Sequence, residues 1–301
     1  MFHSTISKRR FVMKCARFWR VNVAAGILGM ASGAALFGQE EAEKPNKDSK
    51  SSARLEFMRK AVQDIIVKPV DLGDERDLKI KPQPLLRYND PARQVADSAL
   101  WRVGTKGRPT AIVTSEVYGP LENKRFQLNH EFLAIDNPRL TMQCGAFTWL
   151  PPAATTLKFQ KFQSDDKPAD KPQLRLVQIK RLAQKFAMRE FHEGNKIELR
   201  LLPTPIDRYE PSDKSLADGA IFAGVWGVNP EALLFIETDG ESWSYAFARM
   251  GSAKLWAVLD HVEVWNVPGV YVTPTMPYSI TGNAVSVPAA VFDTSSDDKK
   301  P

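Results

Sequence analysis

Cysteine is nearly absent from this chain: of 301 residues only Cys15 and Cys144 are Cys. Cys15 falls in a basic leader, so the body that follows cannot form an internal disulfide and must be held by a packed core. Cys144, beside Gly145, Ala146 and Phe147, reads as a small buried hydrophobe rather than a nucleophile. Histidine is almost as scarce. His130, His192 and His261 stand far apart, and none has the HExxH spacing of a zinc helix. His192, at the end of a helical stretch, reads as compensating a helix dipole. A Cys144–His130 dyad requires their strands to be neighbours. There is no glycine-rich phosphate loop, and Ser115 lacks the flanking glycines of a nucleophile elbow. No catalytic residue, metal ligand or cofactor is assigned from these patterns.

An excess of one charge is also missing once the leader is set aside. The whole chain carries +6. Lys8, Arg9, Arg10, Lys14, Arg17 and Arg20 supply all of it within residues 1–38, which hold no acid. A neutral body offers no electrostatic case for nucleic acid. The uncharged run Val21–Gly38 after that basic segment has the layout of a bacterial export signal, cut after Gly38. The alternative is an uncleaved N-terminal anchor, for which eighteen residues just suffice (about 20 span a bilayer). Lys8–Lys14 also resembles a twin-arginine signal. The expected location is the periplasm or the extracellular space, with no membrane contact after cleavage.

What the sequence does contain is an internal match. Leu78–Glu116 aligns with Leu199–Glu237 without a gap, each residue 121 positions from its partner. Eleven of the 39 pairs are identical, including Pro82/Pro203, Arg87/Arg208, Tyr88/Tyr209, Asp97/Asp218 and Glu116/Glu237. Generic strand patterning would leave roughly two or three chance identities. The match predicts a tandem duplication. It extends upstream to two helical stretches at the same offset, Ala53–Val67 and Leu174–Phe191. In the first, Leu55, Met58, Val62 and Ile65 recur at helical spacing; Pro69 and Gly194-Asn195 read as the stops.

The predicted fold class is therefore α+β: two units, each a helix on a roughly five-stranded, mostly antiparallel sheet, cystatin- or NTF2-like by analogy of element order. The boundaries are 1–38 signal peptide, 39–52 disordered spacer, 53–150 first unit, 151–173 linker, 174–265 second unit, and 266–301 a Pro-rich irregular arm with a disordered tail. A pseudo-two-fold contact between the units is expected.

Candidate ligand-binding residues are Arg87, Tyr88, Arg208, Tyr209 and Trp226. The arginines and tyrosines also read as ion pairs and hydroxyl contacts that fix sheet register. Trp101, Trp226, Trp243, Trp256 and Trp265 read either as a sugar-binding groove or as core. A trace of function should lie where the halves differ: Trp226 against Thr105, Asn229 against Arg108, and the Pro-rich arm.

The pattern of Leu199–Glu237, followed by Trp243–Met250, resembles a family of uncharacterised secreted proteins of planctomycete bacteria. The resemblance covers most of Leu174–Trp265 and implies export and a bacterial source, but no activity. The sequence points to a non-enzymatic exported module that binds a protein or a small apolar ligand. The alternative is an exported hydrolase acting on polysaccharide or peptide.

Overall fold

A computed structural model describes residues 47–70, 78–121, 125–135, 139–152, 157–163, 166–211, 216–281, 285–287 and 292. The expected signal peptide, the spacer up to residue 46 and the tail 293–301 lie outside them. The described residues all belong to one compact unit, Pro45–Pro301. No helix among them is long and apolar enough to cross a membrane.

The first half runs α1 (Lys47–Gln63), β1 (Ile66–Pro69), β2 (Leu86–Asp90), β3 (Val95–Val103), β4 (Ala111–Tyr118), β5 (Phe126–Ala134), β6 (Leu140–Cys144) and β7 (Phe147–Trp149). A two-residue strand β8 (Gln160–Lys161) follows. The second half runs α2 (Pro172–Ala183), β9 (Phe186–His192), β10 (Asn195–Leu201), β11 (Asp207–Tyr209), β12 (Asp218–Trp226), β13 (Asn229–Thr238), β14 (Trp243–Arg249), β15 (Lys254–Leu259) and β16 (Val262–Val267). The arm adds β17 (Tyr278–Ile280) and β18 (Val285–Val287).

The α+β expectation is wrong. Half of the chain is strand and 14% is helix, and the described residues contain only α1 and α2 as α-helices. Nor does each half hold one five-stranded sheet. The second half joins β16-β15-β9-β10-β12-β13-β14-β8 into one nine-stranded antiparallel sheet, with β11 on β12. This sheet curls around α2, so that Met188 on β9 reaches Gly224 on β12. The first half divides into a three-stranded sheet, β1-β6-β7, and a six-stranded one, β17-β5-β4-β3-β2 with β18 also on β5.

Three boundaries explain the excess of strand. The predicted helix Leu174–Phe191 stops at Ala183, because from Phe186 the burial alternates every second residue: Phe186, Met188 and Glu190 inward, Ala187 and Arg189 less so. Period two is a strand's period. Glu193 and Gly194 then take positive φ (48° and 84°) and turn a hairpin. Ile65 and Ile66 likewise leave α1, which begins at Lys47 inside the expected spacer, and Ile66 starts β1. Ala253–Trp265 is two strands, with Asp260 and His261 at φ 47° and 71° between them. The expected irregular arm and linker also pair. β17 and β18 cover the edge of β5, and β8 covers the first residues of the edge of β14, so part of each edge's backbone is paired.

The pairing registers recur at the offset seen in the sequence. Arg87 opposite Ala99 becomes Arg208 opposite Ala220, Tyr88 opposite Ser98 becomes Tyr209 opposite Gly219, and Ser98 opposite Glu116 becomes Gly219 opposite Glu237. Even the lone bridge Ile80–Val103 recurs as Leu201–Gly224.

Three cores result. Met58 and Val62 of α1 pack with Trp101, Val113 and Phe132 on one face of the six-stranded sheet. Ile179 and Leu182 of α2 pack with Phe222, Leu234 and Phe247. Between the halves, Leu100, Ile112 and Leu133 meet Ile221, Val225, Leu233 and Phe235. The central strands are thus buried on both faces, which is why segments such as Ala232–Ile236 show no polar alternation.

Three arginines of the first half cross to carboxylates of the second. Arg102, 1% exposed, bonds Asp207 at 2.6 Å; Arg108 forks onto Glu237 with two bonds of 2.6 Å; and Arg93 bonds Glu231 at 2.5 Å.

One glycine is required by packing. A Cβ on Gly219 would lie 2.2 Å from the ring of Tyr209. Gly219→Ala is expected to destabilise by about 1–3 kcal/mol, the usual range for overpacking. Urea unfolding checks this, and a change within about 0.5 kcal/mol, the scale of ordinary surface substitutions, would contradict it.

Candidate functional site

The interface between the halves is mostly apolar, and four carboxylates enter it at one place. Glu116 on β4 and Glu131 on β5 lie on the strand faces turned to the second half, the faces that also carry Ile112 and Leu133. Glu190 comes from β9 and Glu231 from the start of β13. All four are at most 9% exposed. They line a cleft of about 200 Å³ together with Arg93, His192, Trp226, Asn229 and Tyr278. The loop after β14 closes one side so tightly that a Cβ on Gly251 would lie 2.5 Å from Glu231 Oε2.

The hydrogen bonds in the cleft are uneven. Glu116 accepts from Tyr88 at 2.7 Å and from Tyr118 at 2.5 Å. Glu131 accepts from Tyr278 at 2.8 Å. Glu231 accepts from Arg93, whose guanidinium also reaches toward Asp90 at 3.5 Å and lies 4.1 Å over the Trp226 ring. His192 packs edge-on to Trp226, 4.9 Å between centroids. Glu190 has His192 Nδ1 3.8 Å from Oε1, while its Oε2 is buried without a hydrogen-bond partner.

Burial is the largest influence on all four carboxyls, and it raises their pKa values because it penalises the charged form. Glu116 is raised despite its two tyrosine donors. Glu131 is raised well above the usual carboxylate range by burial and then by the nearby Glu116 charge. Glu190 is raised by burial against the opposing charges of Arg93 and His192. Glu231 is pushed up to about 8 by burial and the Glu190 charge, with Arg93 opposing. One guanidinium does not offset four buried carboxyls, and burial disfavours the charged form of each.

The corresponding place in the other half is neutralised. Glu237, 121 residues after Glu116, accepts from Tyr209 as Glu116 does from Tyr88, but it also receives the Arg108 fork. The residue 121 after Arg108 is Asn229, which lines the acidic cleft. Glu131 and Glu231 also have no acidic counterpart: Ala246 and Thr110 hold the matching positions by strand register and by offset.

Of the candidate residues read from sequence, Trp226 lines the cleft and Tyr88 reaches it through Glu116. Tyr209 bonds the neutralised Glu237. Arg87 and Arg208 lie at helix joints. Arg87 forks onto Asp97 and bonds Ser51 of α1; Arg208 forks onto Asp218 and bonds the Pro172 carbonyl of α2. The tryptophans do not converge on one groove: Trp101 and Trp243 are core, and Trp226 and Trp265 line different clefts. Cys144 and His130 belong to different sheets. His130 instead shares a 2.8 Å hydrogen bond with Ser115, both sealed from solvent.

Arg93, Glu131, Glu190 and Glu231 escaped sequence reading. Glu131 is polar on the strand face opposite Phe132, where one expects water, and Glu190 fell inside a misread helix. Glu231 carried a signal, an acid opening the apolar run Ala232–Ile236.

Comparison with protein-family models, curated proteins and solved structures finds no match for the chain. The resemblance to planctomycete secreted proteins rests on the sequence pattern alone.

The titrations predict a pH profile of stability. Glu231 titrates near 8 in the fold and near 4.3 when unfolded, so its contribution is complete below about pH 4.3 and is lost as pH rises through about 8. His130 has the opposite sign. Burial lowers its pKa to about 4 from about 6.5, so its contribution is lost as pH falls from about 6.5 through about 4. Above about pH 6.5 Glu231 acts unopposed by His130. Thermal unfolding should show Tm falling between about pH 6.5 and 8.5, with a smaller fall in Glu231→Gln. An identical fall in the variant would contradict the assignment.

Proposed function

We propose that this chain is an exported, non-enzymatic binding protein. Its interfacial cleft takes the ammonium or guanidinium group of a small ligand or of a peptide side chain. The carrying observation is Glu190 Oε2, a buried carboxylate oxygen with no partner in a cleft where four glutamates face one arginine and one histidine. A buried acceptor left unmade costs about 1–3 kcal/mol, and a charged donor recovers the most. A cation entering the cleft would also favour the ionised carboxylates and so release protons. A cleft of about 200 Å³ suits a small group; whole drug-sized ligands occupy about 300–1,000 Å³. Export is supported by the leader's basic segment and apolar run.

The test is titration calorimetry with cadaverine and agmatine at pH 7, in two buffers of different ionisation enthalpy. The expected result is binding with proton release to buffer, weakened about tenfold or more (about 1.4 kcal/mol) in Glu190→Gln. Absence of binding by both amines, or equal binding by the variant, contradicts the proposal.

One feature favours the hydrolase reading: burial pushes the Glu231 carboxyl up to about 8, into the range that suits a general acid near neutral pH. Turnover of chromogenic glycosides or peptide amides that disappears in Glu231→Gln would replace the binding reading with that one.

A further inference from the structure

A second cleft, of about 250 Å³, opens where β14 and β16 meet the arm. Its walls are mostly apolar: Leu133, Phe247, Trp265, Val267 and Met276 line it. Phe247 and Trp265 stack there with centroids 5.2 Å apart and planes 17° apart. The exception is Arg249, which also lines the cleft. Its Nη2 donates to the Pro268 carbonyl at 2.6 Å, and more weakly to that of Ala253 at 3.5 Å. Its Nη1 is buried with no partner.

Arg249 differs from six other buried or half-buried arginines. Arg87, Arg93, Arg102, Arg108, Arg175 and Arg208 each hold a carboxylate. Arg249 holds none among the described residues. Two carbonyls share its charge, and burial weakens its hold on the proton. A guanidinium cannot deprotonate near neutrality, so it remains an uncompensated cation at the edge of an apolar cavity. Burying an unpaired charge is costly, and an anion placed against it recovers that cost.

We propose that this cleft binds a small apolar carboxylate, the size of a medium-chain fatty acid, with its tail along Phe247 and Trp265 and its head group on Arg249. Apolar walls with one convergent charge are the usual composition of such a site. The site is separate in chemistry from the acidic cleft. Tyr278 lines both, but the one guanidinium lining the acidic cleft, Arg93, is already held by Glu231, whereas Arg249 holds no carboxylate among the described residues.

The experiment compares octanoate with octan-1-ol on the full chain by calorimetry. The two share a tail, so the difference reads the head group in the unaltered protein. Octanoate should bind one to one and at least about tenfold more tightly than the alcohol. Arg249→Met keeps the aliphatic bulk and should bring octanoate down to the affinity of the alcohol. Val267→Trp, which fills the cleft, should abolish binding of both. Octanol binding as tightly as octanoate, no octanoate binding, or full octanoate affinity in a folded Arg249→Met variant would each overturn the proposal.

Discussion

The structure depends on one constraint: two mostly apolar sheets face each other, and a carboxylate buried between them needs a positive partner or a proton. Three arginines, all from the first half, meet this need. Arg102 and Arg108 do so completely, each with a carboxylate of the second half at 2.6 Å. These pairs fix how the halves sit together, because removing one partner leaves the other charged and buried, at a cost of about 3–5 kcal/mol. Arg93 meets the need only in part. It faces Glu231 while Glu190, Glu116 and Glu131 stand around the same cleft, and burial raises the pKa of all four carboxyls.

The imbalance follows from residue differences at matched positions. A tyrosine donating to a glutamate occurs in both halves at the same strand register, Tyr88 to Glu116 and Tyr209 to Glu237. Where Arg108 neutralises Glu237, Asn229 leaves Glu116 without a cation of its own. Ala246 and Thr110 show that Glu131 and Glu231 are not demanded by the fold, since their counterparts manage without acid. Carboxylates that a fold can do without, gathered where it is hardest to ionise them, are the part of this structure that stability does not explain.

Sequence made the strand registers legible, because matched Pro, Arg, Tyr and Asp residues at one offset pin the pairing that places them. It pointed to Arg87 and Arg208 as ion-pair partners of the retained Asp97 and Asp218, but not to the bonds by which the same arginines hold α1 and α2. It misled on class. Leu174–Phe191 has enough apolar residues at three- and four-residue spacing to mimic one helix, and only the alternation after Phe186 betrays β9. The covering of β5 by the arm and of β14 by Gln160-Lys161 was not legible, since edge pairing leaves no local periodicity in segments so short. Nor were Glu131 and Glu190. On a strand, polarity opposite an apolar face normally means water; here a second sheet covers that face, and only the assembled structure shows it.

The central claim is that the most strongly shifted interfacial carboxyls, Glu131 and Glu231, give up protons when a cation enters the cleft. Carbon-13 NMR of protein labelled at the glutamate carboxyl carbon tests it most directly. The account predicts that at pH 7 the Glu131 and Glu231 resonances lie at the protonated position and that at least one moves to the ionised position on addition of cadaverine. Resonances that are already ionised at pH 7, without any added cation, would contradict it.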